Sequence, residues 1–126
     1  MESLSPNVFV EDMHKTIAFY KALGFEVVLT VPETGTDFVW AMMQNGGVTM
    51  MFQTFESLGN DLPEIHRTNG ASQLLYIKLK NIHTFFDGLK DKVTILKPLE
   101  TTFYGAIEFS IVDNNGYVLT FAEDVA

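Results

Sequence analysis

The sequence predicts an α+β fold built of two repeated βαβββ modules, with curved mixed sheets enclosing a cavity. Three observations carry that expectation. The chain repeats itself: Val10-Glu11-Asp12-Met13-His14 is echoed by Leu79-Lys80-Asn81-Ile82-His83, and NGGVTMMF at 45–52 by NNGYVLTF at 114–121, both 69 residues apart without a gap. Each copy reads strand, helix, then three strands. The strands are apolar on both sides, with Phe38, Trp40 and Met42 interleaving Val39, Ala41 and Met43. A sheet apolar on both sides buries both, so helices cover one face and the other meets a second sheet or a cavity.

The elements follow in order. Leu4 to Val10 is a short β-like run, and Asp12 is a good N-cap. Met13, Ile17 and Tyr20 recur at helical spacing, and Gly24 ends the helix. Phe25 to Val31 is strand-like, and Pro32-Glu33-Thr34-Gly35 is a turn. Phe38 to Met43 and Val48 to Thr54 flank Asn45-Gly46, a hairpin signal. In the second copy Leu74 to Lys80 is a strand, and Asn81 caps a helix carrying Ile82, Phe85, Phe86 and Leu89 on one face. Val93 to Leu99, Ala106 to Val112 and Tyr117 to Glu123 complete the set, the last two around Asp113-Asn114-Asn115-Gly116. We therefore read residues 1–126 as one domain with modules at about 1–62 and 71–126, joined by the polar stretch from His66 to Gly70.

Composition narrows the function. The net charge of −8 repels phosphate backbones and argues against nucleic acid. Without cysteine there is no disulfide, thiolate metal site or cysteine nucleophile. No apolar run approaches the ~18 residues of a membrane span, and the N-terminus MESLSPNVF lacks the pattern of a signal peptide. The expectation is a cytoplasmic protein.

Val10-Glu11-Asp12 followed by Phe19-Tyr20 and Leu23-Gly24-Phe25, then Gly105-Ala106-Ile107-Glu108-Phe109 followed by Asp113-Asn114-Asn115-Gly116-Tyr117, resemble the vicinal oxygen chelate superfamily. That superfamily holds glyoxalases, bleomycin-resistance proteins, fosfomycin-modifying enzymes and extradiol dioxygenases. With the repeat, the resemblance covers nearly the whole chain. It implies the fold but not one function. It also implies four metal-ligand positions on the first and last strand of each module: Ser5, Met51, Leu74 and Thr120. Leucine has no lone pair, methionine is a soft ligand and neutral hydroxyls bind divalent cations weakly. The neighbouring residues Leu4, Pro6, Met50, Phe52, Gln73, Leu75, Leu119 and Phe121 do not rescue the site. The expectation is a metal-free chain without a cofactor.

His14 and His83 are repeat-equivalent and fall in the first turn of each helix, a surface or packing role. His66 lies near Glu64 in the linker, too few ligands for a metal. Glu108 lies mid-strand and is the weak catalytic candidate. It reads either as a general base in a cavity or as a carboxylate hydrogen-bonded to a nearby loop. Where the related subfamily has arginine, this chain has Ile107.

Hairpin geometry assigns the cavity face. A two-residue turn at Asn45-Gly46 places Trp40 opposite Met51, and a matching turn at Asn114-Asn115 places Phe109 opposite Thr120. The former metal positions Met51 and Thr120 face inward, so Trp40 and Phe109 follow, with Phe38 and Gln53 beside them. Alternation adds Asn7 and Phe9, then Tyr76 and Lys78, and the former metal position Leu74 joins them. A one-residue bulge in the second hairpin inverts its parity and brings Glu108 inward instead. The expected ligand-binding wall is thus Asn7, Phe9, Phe38, Trp40, Met51, Gln53, Leu74, Tyr76, Phe109 and Thr120. The leading expectation is metal-free binding of a small aromatic or amphipathic molecule by a homodimer, similar to bleomycin-resistance-type sequestration. The alternative is a glyoxalase- or dioxygenase-like lyase or isomerase with a non-standard site using Glu108.

Overall fold

The computed structural model describes residues 1–125 and divides the chain into two compact units, Met1–Asn69 and the chain from Gly70 onward. The first unit runs β1 (Asn7–Val10), α1 (Met13–Ala22), β2 (Glu26–Val31), β3 (Trp40–Asn45), β4 (Val48–Thr54) and the one-turn α2 (Phe55–Leu58). Its sheet has the order β1-β4-β3-β2, with β1 parallel to β4 and the other pairs antiparallel. The second unit runs β5 (Leu74–Lys78), α3 (Ile82–Leu89), β6 (Thr94–Thr101), β7 (Ala106–Val112) and β8 (Val118–Asp124), in the order β5-β8-β7-β6 with β5 parallel to β8. This is an α+β fold of two βαβββ modules, and neither sheet closes into a barrel. Among the described residues no helix is long and apolar enough to cross a membrane.

Local chemistry explains where α1 starts and stops. The Asp12 carboxylate accepts the Lys15 N–H at 3.0 Å, and the Thr16 hydroxyl donates to the Asp12 carbonyl at 2.8 Å. At the other end Gly24 has φ +97°. Its N–H donates to Lys21, while the Phe25 N–H reaches back to Tyr20, both at 2.9 Å. That is a Schellman motif, and the hydrophobic contact that accompanies it is present as an edge-on Tyr20–Phe25 ring pair 5.6 Å apart. A Cβ on Gly24 would meet the Asn45 side chain at 3.0 Å, which donates to the Leu23 carbonyl.

Helix α3 departs from expectation. Asn81 was expected to cap it, but its backbone is left-handed (φ 62°, ψ 45°) and its side chain makes no capping bond. An N-cap side chain needs extended backbone to reach the first turn. The carboxylate of Glu123, from β8, does the work across the sheet. It accepts the N–H of Asn81 at 3.1 Å and that of Ile82 at 3.0 Å. Those bonds hold the Glu123 carboxyl below its ordinary pKa. The short α2 was not anticipated; the Thr54 hydroxyl accepts the Ser57 N–H at 3.2 Å and starts it.

Each helix covers one face of its own sheet. Under α1 lie Val8, Val10, Ala41, Met43, Met50 and Phe52, all at most 3% exposed, with the Tyr20 ring tilted against Phe52 at 4.6 Å. Under α3 lie Phe109, Ile111, Leu119 and Phe121. Each such aromatic contributes on the order of 2–3 kcal/mol by burial.

The two hairpins correct the expected register. In the first, Asn45 pairs with Val48, so Gly46 and Gly47 form the turn rather than Asn45-Gly46. Trp40 therefore lies opposite Gln53, and Met42 takes the place across from Met51. That slip of two residues keeps every side chain on its expected face. In the second hairpin Val112 pairs with Val118, leaving a five-residue loop. The Asp113 carboxylate holds it by accepting the N–H of Asn115 at 2.8 Å and of Tyr117 at 2.9 Å. Here the slip is one residue, so the parity inverts. Phe109 pairs with Phe121, not Thr120, and Thr120 lies opposite Ser110. Phe109 is 1% exposed and packs on Phe86 of α3 at 5.0 Å, so its expected place on the binding wall is wrong. Phe38 also departs. It lies in the loop before β3, where strand alternation does not place it.

Candidate functional site

The faces opposite the helices carry the side chains that packing does not consume. In the first unit two rows cross the sheet. One holds Val31, Trp40, Gln53 and Phe9, and the next Leu29, Met42, Met51 and Asn7. Leu29 and Val31 are about half exposed, at 49% and 50%, while Trp40, Met42, Met51 and Phe9 are half-buried. Into this aromatic and thioether surface is set one amide pair, Asn7 Nδ2 donating to Gln53 Oε1 at 3.0 Å. Asn7 Oδ1 is buried and has no hydrogen-bond partner among the described residues. A buried acceptor left unpaired costs roughly 1–3 kcal/mol. The sequence brought Asn7, Phe9, Trp40, Met51 and Gln53 to this surface; Met42 was left off the expected wall, although alternation from Trp40 puts it on the same face.

In the second unit the corresponding rows are polar. Glu100, Glu108, Ala122 and Lys78 form one, and Lys97, Ser110, Thr120 and Tyr76 the next. Glu108 is the centre. Tyr76 Oη donates to its Oε2 at 2.5 Å and Tyr104 Oη to the same oxygen at 2.6 Å. Glu108 is 9% exposed, Tyr76 and Tyr104 about half. The bond to Glu108, then desolvation, pushes the Tyr76 phenol up to about 12 and raises Tyr104 as well. Beside them the Ser110 and Thr120 hydroxyls share a bond at 2.7 Å, and both residues are buried. The lysines are engaged elsewhere, Lys97 with Glu100 at 3.0 Å and Lys78 with Asp124 at 3.2 Å. The bond to Glu100 raises the pKa of Lys97. Tyr104 carried no signal in the sequence. It stands in a loop, and only the fold turns it onto Glu108.

The four positions implied for a metal are spread over both sheets. Ser5 precedes β1, Met51 is in β4, Leu74 begins β5 and is 51% exposed, and Thr120 is buried in β8 against Ser110. Their chemistry offers two hydroxyls, a thioether and a hydrocarbon, which does not suit a divalent cation. Among the described residues no three His, Cys, Asp or Glu side chains come together to hold a metal. His14, His66 and His83 are exposed.

Residues 4–121 match the model of the glyoxalase/bleomycin resistance protein/dioxygenase superfamily. No curated protein sequence matches the chain. Among solved structures, a protein of unknown function from Agrobacterium tumefaciens str. C58 shares 22% identity over 98% of this chain and 94% of its own, with a TM-score of 0.77. The bleomycin resistance determinant encoded on the transposon Tn5 shares 21% identity over the full length of both chains, TM-score 0.70. A bleomycin-binding protein complexed with bleomycin shares 21% over 98% of this chain and 99% of its own, TM-score 0.67. At these identities the likeness is one of fold.

Proposed function

The chain belongs to the glyoxalase/bleomycin resistance protein/dioxygenase superfamily, and from that premise we propose that it binds a small aromatic or amphipathic organic molecule without a metal. The observation that carries the reading is the helix-free face of the first sheet, with the half-buried Trp40, Met42 and Met51 around the hydrogen-bonded amides of Asn7 and Gln53. An apolar, aromatic surface with a few fixed polar groups suits a flat ligand bearing an N–H or O–H. Two solved relatives in fold are described by their bleomycin binding or bleomycin resistance, which supports a ligand of that kind here. We extend the proposal to a homodimer, supported by the apolar residues Val28, Leu29 and Val31 that β2 leaves about half exposed. Light scattering showing only a 14.2 kDa species at all concentrations removes that part.

Trp40 is the only tryptophan and reports on binding. Bleomycin and a panel of flat aromatic compounds are expected to change its emission with micromolar affinity or better, and Trp40→Ala to weaken binding at least tenfold with the melting transition kept. An unchanged emission across the panel sinks the reading. The register that brings Glu108 to the helix-free face favours a second reading, a lyase or isomerase with Glu108 as base. The two differ in outcome, since a binding protein returns its ligand with unchanged mass and connectivity after prolonged incubation.

A further inference from the structure

Glu108 stands out by what it lacks. It is a nine-tenths-buried carboxylate in mid-sheet, and among the described residues it makes no ion pair. The nearest candidates are spent, with Lys97 on Glu100 and Lys78 on Asp124. Its hydrogen bonding is lopsided. Both phenols donate to Oε2, which uses that oxygen's two lone pairs. Oε1 accepts nothing among the described residues, yet is not a sealed-off atom, since the one buried unpartnered side-chain oxygen among them is that of Asn7. A buried charge is normally paired, and two neutral donors on one oxygen leave the other half of the job undone. Around it stand the half-exposed rings of Tyr76 and Tyr104, the latter edge-on to the fully exposed Phe103 at 5.0 Å.

We propose that Glu108, Tyr76 and Tyr104 form a subsite for an organic ammonium group. One N–H of the cation donates to Oε1, and its carbon substituents lie against the tyrosine rings. The class of cation follows from the geometry. A guanidinium or amidinium binds a carboxylate best through two parallel bonds to two oxygens, and Oε2 is taken. A primary or secondary alkylammonium needs one acceptor and gains from aromatic faces within about 6 Å. The subsite rests on the reading of this protein as a small-molecule binder and names the ligand class: an aralkyl amine that is protonated at neutral pH.

Three probes test it on the full chain by NMR titration at pH 7: benzylamine, its uncharged isostere benzyl alcohol, and benzamidine. Benzylammonium is expected to bind at least tenfold more tightly than benzyl alcohol and to shift the ring resonances of Tyr76 and Tyr104. In Glu108→Gln, which keeps an oxygen for the phenols but no charge, that ratio falls to about one. Tyr104→Ala, at an exposed loop position, weakens benzylammonium at least threefold and by a larger factor than it weakens benzyl alcohol. Equal binding of the amine and the alcohol by the unmodified chain overturns the subsite while small-molecule binding stands, and this comparison needs no variant to fold. Survival of the preference in Glu108→Gln overturns it too. So does a tenfold gain for benzamidinium over benzylammonium, which contradicts the single free oxygen. If no probe moves any resonance the subsite falls, and the Trp40 titration judges the wider reading separately.

Discussion

Position by position, the two sheets agree under their helices and disagree on the other side. Met51 and Thr120 are 69 residues apart, as are Asn7 and Tyr76, but Trp40 and Glu108, which occupy matching places in β3 and β7, are 68 apart. The missing residue is in the hairpin. Four residues separate the paired Gln44 and Thr49, and five separate Val112 and Val118. On the helix side the matched pairs Val8 and Ile77, Met43 and Ile111, Met50 and Leu119, Phe52 and Phe121 are apolar in both units. On the other side Trp40 is matched by Glu108, Met42 by Ser110, Met51 by Thr120 and Phe9 by Lys78. Packing against a helix constrains the chemistry of one face to hydrocarbon. The face opposite has no such constraint and diverged into an apolar surface in one copy and a carboxylate held by phenols in the other.

The sharpest way to break this comparison is to truncate a large aromatic on each kind of face. Phe109→Ala empties a site packed by Phe85, Phe86 and Phe121 and is expected to cost about 3–5 kcal/mol in denaturant unfolding. Trp40→Ala, half-buried on the helix-free face, should cost less than half of that. If Phe109→Ala loses less than about 1 kcal/mol, the inverted parity of the second hairpin is wrong.

The helix starts sharpen it further. Asp12→Ala removes a local cap from α1 and is expected to cost about 1 kcal/mol at neutral pH. In α3 the cap comes from Glu123, so Asn81→Ala should not remove a cap, whereas Glu123→Gln should destabilise. The Glu123 pKa is depressed in the folded chain, so its contribution is present above the unfolded carboxylate value of about 4.3 and fades as pH falls through the lower folded value. Denaturation midpoints of the parent and Glu123→Gln should therefore converge on acidification from pH 6 toward pH 3. A gap independent of pH speaks against the capping role.

The smallest effect is spectroscopic. The Tyr76 phenol, pushed up to about 12, should be absent from the ordinary tyrosine ionisation near pH 10. Its contribution to stability is complete below pH 10 and is lost as pH rises through 12. Ultraviolet titration of the parent against Tyr76→Phe reads this directly, and Glu108→Gln should return the phenol toward pH 10. A Tyr76 that ionises in the ordinary range near pH 10 would mean that it does not donate to Glu108.

Much of this molecule was legible in its sequence. The 69-residue echo set the two modules, the capping of α1 by Asp12 and its termination at Gly24 followed from residue type, and Val48–Thr54 and Ala106–Val112 were placed to the residue. These are consequences of local chemistry and of hydrophobic period, which a linear sequence carries in full. The place of Phe109 and Glu108 was not. Strand alternation fixes a side chain's face only relative to its neighbours, and the absolute choice passes through a hairpin in which one added residue reverses it. The Asp113 loop made that choice through backbone bonds. Likewise the capping of α3 by Glu123 and the meeting of Tyr76 and Tyr104 on Glu108 join residues from separate strands and a loop. No spacing in the sequence encodes such encounters; only the register of a folded sheet creates them.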